Sequence, residues 1–398
     1  MKKILIFSHA MELGGAERAL LGLLENIDTE KYDVDLFLMR HSGELLKFIP
    51  PKIHLLEEIP AYAALAIPVK KVLRQRKLGL AVRRCYGKAM AKRRTKQLHY
   101  PAKNGIELEY SHKFTWKVMP KIQPDKEYDL AISFLTPHYM VAEKVNARKK
   151  VAWIHTDYSA IRIDENSEFH MWSQYDKIIA ISQKTAESFW RVFPTLQDKV
   201  TIIENIQPFR LIEKQKKAFS VEEEMPADSI RLLSVGRFGY AKNFDNVPEI
   251  CALLRKSGLN VKWYLIGYGS DEKLIRDNIR RFGMEKFVII LGKKENPYPY
   301  MNACDVYVQP SRYEGNCVAV CEAQLLSKPV VVTDYPTARN QIENGIDGVI
   351  VPMDIEGCAT GICSFLKNKV LMQRIVKTCH QRDYSNSREI EKIDSLMS

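Results

Sequence analysis

No two of the eight cysteines stand in a Cys-x-x-Cys pair, and no histidine cluster joins them at metal-ligand spacing. A structural zinc site is therefore not written in the chain. Cys317 and Cys321, four apart, and Cys358 and Cys363, five apart, read as reduced thiols packed inside a cytosolic protein. There is no Gly-x4-Gly-Lys-[Ser/Thr], which excludes a P-loop. Long apolar runs are also missing. Ile4–Phe7, behind the basic start Met1-Lys2-Lys3, is too short for a signal sequence, and Ala61–Ile67, stopped by Pro68, falls far short of the roughly 20 residues a membrane span needs. The expectation is a cytoplasmic protein whose membrane contact, where it has any, is peripheral.

Acidic residues are absent between Glu58 and Glu107. The same interval holds thirteen lysines and arginines, from Lys70 to Lys103, which exceeds the net charge of +12 for all 398 residues. One segment thus owns the basic excess. Leu65, Val69, Val72, Leu73, Leu80, Val82, Tyr86, Met90 and Leu98 are interleaved with the charges, so residues 61–103 read as a basic amphipathic insertion of one or two helices, broken near Gly79 and Gly87. A solvated helical face is the plain reading of such a stripe. Aliphatic interleaving with few aromatics points to an anionic membrane surface in preference to nucleic acid.

What is present is an alternation of short apolar strands and helices, the mark of a parallel α/β sheet. Strands are predicted at Ile4–Ser8, Val34–Met39, Ile53–Leu56, Asp129–Phe134, Lys150–Ile154, Lys177–Ile181 and Val200–Ile203. The polar stretch 206–229 reads as a linker or domain edge. A second series comes after it, at Ile230–Val235, Lys262–Ile266, Phe287–Leu291, Val306–Val308, Val330–Thr333 and Gly348–Val351. The reading is two α/β domains, 1–206 and 207–375, facing an interdomain cleft, with a helical tail 376–398 packing back on the first. Such clefts are common ligand sites.

Polar residues directly after apolar strands belong at the crevice of a parallel sheet. Gly14-Gly15-Ala16-Glu17 lies between the first strand and a helix, where backbone can approach a ligand and N–H groups are free; a plain tight turn is the alternative. His155 closes the strand ending at Ile154. Gly236-Arg237 and Lys242 form a cationic loop suited to a diphosphate. Gly267-Tyr268-Gly269 begins like a dinucleotide fingerprint, but Glu272 stands where the third glycine would be. Asp33-Val34-Asp35 has the spacing of an Asp-x-Asp metal motif but opens a strand, and no metal is assigned to it. Glu314 and Glu322, separated by seven residues, lie in the loop after one strand and in the helix that comes next. Carboxylates placed so are natural acceptors for hydroxyl groups.

Taken in order, these residues resemble the GT-B glycosyltransferases of the large retaining family 4. The marks are Gly14-Gly15-Ala16-Glu17, His155-Thr156, Gly236-Arg237 with Lys242, Ile266-Gly267-x-Gly269, Ala303-x-Asp305-Val306, Pro310-Ser311-x-x-Glu314-Gly315, Glu322-Ala323 and Pro329-Val330-Val331. The Tyr313-Glu314-Gly315…Glu322-Ala323-Gln324 variant is similar to bacterial capsule, exopolysaccharide and wall-polymer transferases. Asn316-Cys317 departs from the Phe-Gly of many members.

The resemblance implies a retaining, metal-independent glycosyltransferase needing no cofactor. Its donor would be a nucleotide-sugar, UDP-linked, and its acceptor a lipid-linked saccharide. Glu314, His155, Arg237 and Lys242 would be catalytic. Gly14, Gly15, Gly236, Arg237, Lys242, Glu314, Gly315, Asn316, Cys317, Val318 and Glu322 would bind the donor, with Glu322 on the ribose, Glu314 on the transferred sugar, and the N–H groups of Gly315–Val318 beside the diphosphate. Asn205 matches a position near the hinge. Arg74, Arg83, Arg84, Arg93 and Arg94 would face the membrane and acceptor, placing the protein on the inner face of the membrane, with no role for nucleic acid. The alternatives are a nucleotide-sugar epimerase and a non-catalytic partner subunit of the same fold.

Overall fold

Strands rich in Val, Ile and Leu, bare of polar alternation, form where both sheet faces are covered. The computed structural model describes residues 1–101 and 104–397 and divides into two units, 1–206 with 387–398, and 207–386. In the first, seven parallel strands, β1 (Lys2–Ser8), β2 (Tyr32–Leu38), β3 (His54–Leu55), β4 (Tyr128–Ser133), β5 (Ala147–Ile154), β6 (Lys177–Ala180) and β7 (Val200–Ile202), are ordered β3-β2-β1-β4-β5-β6-β7. In the second, β8 (Ile230–Val235), β9 (Val261–Ile266), β10 (Val288–Gly292), β11 (Val306–Gln309), β12 (Val330–Thr333) and β13 (Val349–Val351) are ordered β10-β9-β8-β11-β12-β13. Each sheet winds outward in both directions from its first strand. The strand order therefore reverses beside β1 and beside β8, and a crevice opens there at the strand C-termini. Ile4, Leu5, Ile6 and Phe7 of β1 are fully buried, as are Val330, Val331 and Val332 of β12.

Of the two readings of 206–229, the structure has the domain edge: the long run of the first unit ends at Ile206, and Gln207–Asn386 form the second unit. Helix Phe209–Gln215 buries Leu211 and Ile212, and Val221 and Met225 join the cluster around Tyr264, Tyr307 and Val320. The surrounding Lys and Glu residues hide this apolar set in the composition. Helix Lys369–Gln381 also lies in the second unit, and the tail grouped with the first begins at Ser387. That tail is a 3-10 turn, Ser387–Glu391, and a short helix, Lys392–Ser395, in place of one continuous helix. Lys392 Nζ donates to the Ile202 carbonyl at 3.1 Å, and Lys31 pairs with Asp394.

The basic segment folds as Pro60–Ala63, Val69–Arg74 and Leu78–Gln97. Its break falls at Gln75–Lys77, near the expected Gly79, where Arg76 has a φ of 56°, and there is none at Gly87. Gly87 is instead a packing residue. A Cβ there would stand 2.9 Å from the Tyr110 carbonyl oxygen, so its absence lets helix Ile106–Thr115 lie against Leu78–Gln97. Lys103, the last cation of the segment, and Ser398 lie outside the described residues.

Candidate functional site

Two loops leave neighbouring strands at the switch point of the second sheet, one after β8 and one after β11. They are laced together. Arg312 forks onto Asp245 at 2.9 and 2.7 Å, Arg312 N–H donates to the Ala241 carbonyl at 2.8 Å, and Asn243 donates to the Pro310 carbonyl at 2.9 Å. The Gly-x-Gly after β9 supports the first loop from below. Cβ atoms on Gly267 and Gly269 would fall 1.9 Å from the Gly236 carbonyl oxygen and 2.1 Å from that of Phe238. The pair is thus a steric requirement of the cationic loop.

Lys242 and Glu314 meet at the centre. Lys242 Nζ lies 2.6 Å from Glu314 Oε1 and 3.8 Å from Cys317 Sγ. Gly236 leaves the space that the Lys242 stem fills, with side-chain carbons 3.1–3.4 Å from where a Cβ would be. Burial works against the Lys242 charge, and its anionic neighbours outweigh burial and hold its pKa above the ordinary lysine value. Burial pushes the Cys317 thiol up to about 12, so the thiol is protonated at neutral pH. Glu314 Oε1 also accepts from Ser311 Oγ at 2.5 Å; Gln309 donates to Ser311 at 2.8 Å and Tyr307 to Gln309 at 2.7 Å. This relay fixes the carboxylate. Arg237 is exposed and has no partner among the described residues.

Glu322 is buried on helix Val318–Leu325 and accepts from Tyr298 OH at 2.9 Å. Gln341 holds the Asn316-Cys317 turn. Its side chain accepts from Cys317 N–H at 2.9 Å and donates to the Cys317 carbonyl at 3.2 Å and to Asn316. The Cys317 N–H, expected at a diphosphate, is therefore already bonded, whereas Gly315 is exposed. Of the residues that hold this site, the sequence marks Ser311 only as part of the family motif, and Gln309, Tyr298 and Gln341 not at all. The polar pair at the end of the apolar run Val306–Val308 was a usable signal for the first two. Gln341 and Tyr298 arrive from other elements.

In the first unit, Gly14 caps helix Gly15–Asn26, and the Glu17 carboxylate folds back over it, its Oε2 2.0 Å from where a Gly14 Cβ would be. The helix start is thus partly filled by an internal anion, whose pKa burial raises. His155 comes directly after β5 and packs on the Phe134 ring at 4.8 Å between centroids. Burial lowers its pKa to about 4, so the ring is neutral at pH 7, and its buried Nε2 has no hydrogen-bond partner. Asp33 and Asp35 hold Lys126 at 3.2 and 2.8 Å, with His54 on Asp35 at 2.8 Å, which is an ion-pair cluster. Among the described residues no group of three or more His, Cys, Asp and Glu is gathered to hold a metal.

The five arginines assigned to a membrane divide. Arg84 donates to the Ala64 carbonyl at 3.0 Å and to that of Ile67, and Arg94 forks onto buried Asp164 at 2.8 and 3.1 Å. Both are structural. Arg74 and Arg93 are exposed and Arg83 is half-buried. Leu78, Val82 and Tyr86, spaced four apart on the same helix, are exposed at 64, 66 and 50%. Among the described residues no helix is long and apolar enough to cross a membrane.

Residues 215–382 match the family model for glycosyl transferases group 1. The chain is 24% identical over 176 residues to the amylovoran biosynthesis glycosyltransferase AmsD of Erwinia amylovora, covering 44% of this chain and 48% of that protein. It is 26% identical over 187 residues to the N-acetylgalactosamine-N,N'-diacetylbacillosaminyl-diphospho-undecaprenol 4-alpha-N-acetylgalactosaminyltransferase of Campylobacter jejuni, covering 47% of this chain and 49% of that one. The chain thus spans about half the length of these curated relatives. Among solved structures it is similar to Anabaena Alr3699/HepE in complex with UDP and glucose, with a TM-score of 0.67, 18% identity, and coverage of 99% of this chain and 100% of that one. The fold, two Rossmann-like parallel α/β domains, is GT-B.

Proposed function

We propose that this chain is a retaining glycosyltransferase of family 4 that moves a sugar from a UDP-sugar to a lipid-linked saccharide during cell-surface polysaccharide synthesis. The observation that carries the reading is the Lys242–Glu314 pair at the strand switch point, with Arg237 exposed and unpartnered on the same loop. The names of relatives in polysaccharide synthesis, one acting on a diphospho-undecaprenol-linked sugar, and of a structural neighbour in complex with UDP, support the choice of donor and acceptor.

The division of labour comes from charge. Glycosyl transfer passes through an oxocarbenium-like state as the diphosphate leaves. Arg237 offers a planar fork and Lys242 a point charge to the departing oxygens, and both act more strongly as that charge grows. In this reading no resident metal or cofactor takes part. Glu314, fixed by Ser311 and Lys242, accepts hydroxyls of the transferred sugar and lends negative charge near its anomeric carbon. Glu322 takes the ribose hydroxyls. His155, which the family resemblance names as catalytic, offers a neutral ring at the end of β5. The acceptor hydroxyl attacks the face the diphosphate leaves, which retains configuration. The exposed stripe Leu78, Val82 and Tyr86, flanked by Arg74, Arg83 and Arg93, rests on the anionic inner face of the membrane.

A thermal-shift screen of nucleotides and UDP-sugars, with product analysis on a diphospho-undecaprenol-linked sugar, tests the proposal. The donor is expected to stabilise the protein by about 2.7 kcal/mol at a hundredfold excess over Kd. Absence of any nucleotide response, or an unchanged transfer rate in Arg237→Ala, refutes it. Donor conversion without acceptor identifies an epimerase instead.

A further inference from the structure

The paired strands β11 and β12 run on into two loops, and the second braces the first along its length. Thr333 Oγ1 donates to the Ser311 carbonyl at 2.6 Å and Thr337 Oγ1 to the Glu314 carbonyl at 2.9 Å, and Gln341 ends the row on Cys317. Steps of four residues on one side thus meet steps of three on the other. The threonines hold carbonyls only. Gln341 holds both backbone groups of a single residue, accepting from the Cys317 N–H at 2.9 Å and donating to the Cys317 carbonyl at 3.2 Å, and it donates to Asn316 Oδ1 as well. Buried Tyr335 donates its hydroxyl to Gln341 Oε1 at 3.4 Å, so the amide is itself held.

The place of this clasp matters because Cys317 is the N-cap of helix Val318–Leu325. Ser, Thr, Asp or Asn at an N-cap fixes the helix start by bonding the N–H of the second or third helical residue. The Cys317 side chain makes no such bond. The Val320 N–H turns back to the Cys317 carbonyl at 3.0 Å, whereas the N–H groups of Val318 and Ala319, both half-exposed residues, have no partner among the described residues. Gln341 therefore fixes the turn as a capping side chain would, from another element, and leaves open the N–H groups that a cap competes for. Lys242 Nζ lies 3.8 Å from Cys317 Sγ, so this helix start adjoins the cationic loop. A neutral amide suits such a place, since a carboxylate used as the clasp would repel an anion arriving there.

We propose that Gln341 is a positioning residue for the leaving diphosphate. Acting through Cys317, it holds the start of helix Val318–Leu325 in place while the Val318 and Ala319 N–H groups stay open to phosphate oxygens. The clasp rests on the geometry of this unit alone; its service to a nucleotide diphosphate rests on the glycosyltransferase reading above.

The test compares UDP with uridine, which lacks the phosphates, on the intact protein. Calorimetry reads UDP and saturation-transfer NMR reads the weaker nucleoside. Gln341→Met keeps the length of the side chain and removes the amide. Gln341→Glu keeps an acceptor for the Cys317 N–H, removes the donor and adds negative charge. Gln341→Met is expected to weaken UDP about tenfold, the usual scale for loss of a buried hydrogen-bonded brace, and to leave uridine within about a factor of two. Gln341→Glu is expected to weaken UDP further and uridine no more than Gln341→Met does. An equal loss of UDP and uridine in Gln341→Met would make Gln341 a part of the fold alone and overturns the proposal. UDP affinity equal in wild type and Gln341→Met also overturns it, and leaves the UDP-sugar donor standing. Absence of UDP binding in wild type overturns the proposal and the donor together.

Discussion

The two units share a strand order and a switch point, yet their crevice residues are electrostatic opposites. In the second, a half-buried lysine is held above the ordinary lysine pKa against burial by Cys317 and Glu314, and an exposed arginine stands on the same loop. In the first, the helix start and the cavity at the ends of β4 and β5 are dressed with carboxyls and neutral histidines. Desolvation lowers His138 to about 3 and His155 to about 4, and raises Glu168 to about 7. One crevice carries an unpartnered cation beside an ion pair, the other neutral histidines and buried carboxyls. The same scaffold carries both settings through loop chemistry alone, because the sheet supplies position and the loops supply charge.

The sharpest way to break this comparison is to remove the charge from the second unit. Arg237→Ala and Lys242→Ala are each expected to lower the transfer rate by about 10²–10³, the usual cost of losing one preorganised charge contact. Lys242→Ala also leaves the half-buried Glu314 without its counter-ion, so donor affinity falls with it. Steady-state kinetics with a UDP-sugar decide the point. Rates within a factor of three of wild type would mean that the cationic loop is scaffolding.

A second effect belongs to the first unit. Burial raises Glu168 above the ordinary carboxylate value, with Glu109 adding repulsion, against hydrogen bonds from Tyr158 and Trp172 that pull the other way. Between pH 4.5 and about 7 the folded protein keeps a proton that the unfolded chain has released, so stability falls as pH rises through that window. Glu168→Gln removes this term. Relative to wild type, the variant should gain about 2 kcal/mol on going from pH 5 to pH 8. His112, His138 and His155, all lowered, act in the opposite sense as pH falls below 6.5 and cancel in the difference. Urea melts at the two pH values measure it, and a constant difference would mean that Glu168 is ionised in the folded protein throughout.

The sheets were legible because both faces are covered. Runs such as Ile4–Phe7 and Val330–Val332 carry no polar alternation to confuse the pattern. The Lys242–Glu314 loops were legible because each leaves its strand directly. The hidden contacts came from a distance. Gln341 reaches Cys317 from 24 residues on, and Tyr298 reaches Glu322 from 24 residues before, so no local spacing reveals them. At 206–229 the domain edge was legible, but its packed residues were not, because Ile212, Val221 and Met225 are diluted by charge. Gly87 was misread because a glycine needed for helix packing looks the same, in sequence, as one that ends a helix.

Gly269→Ala tests whether the Gly-x-Gly is support for the cationic loop or merely a turn. The added Cβ would stand 2.1 Å from the Phe238 carbonyl oxygen, with a φ of +158° besides. A loss of about 1–3 kcal/mol is expected, together with weaker UDP binding, since the displaced backbone carries Arg237. Loss of stability with UDP affinity intact would separate the two loops.

The smallest effect distinguishes two kinds of arginine within the basic segment. Each exposed cation near an anionic bilayer contributes about 1 kcal/mol. Arg74→Gln with Arg93→Gln should therefore weaken binding to vesicles containing phosphatidylglycerol roughly tenfold or more, leaving the melting temperature unchanged. Arg94→Gln should do the reverse, because it strands Asp164, whose remaining partner is the Tyr110 hydroxyl at 2.7 Å. Burial raises the Asp164 pKa, while Arg94 and Tyr110 outweigh burial and hold it below the ordinary value; that stability is present above the unfolded carboxylate range and lost as pH falls through the folded pKa. Replacing Arg94 should cost about 1–3 kcal/mol near neutral pH and progressively less in acid. Vesicle sedimentation and thermal melts on the same samples read both quantities, and a common loss of stability in both variants would mean that the basic segment acts only as part of the fold.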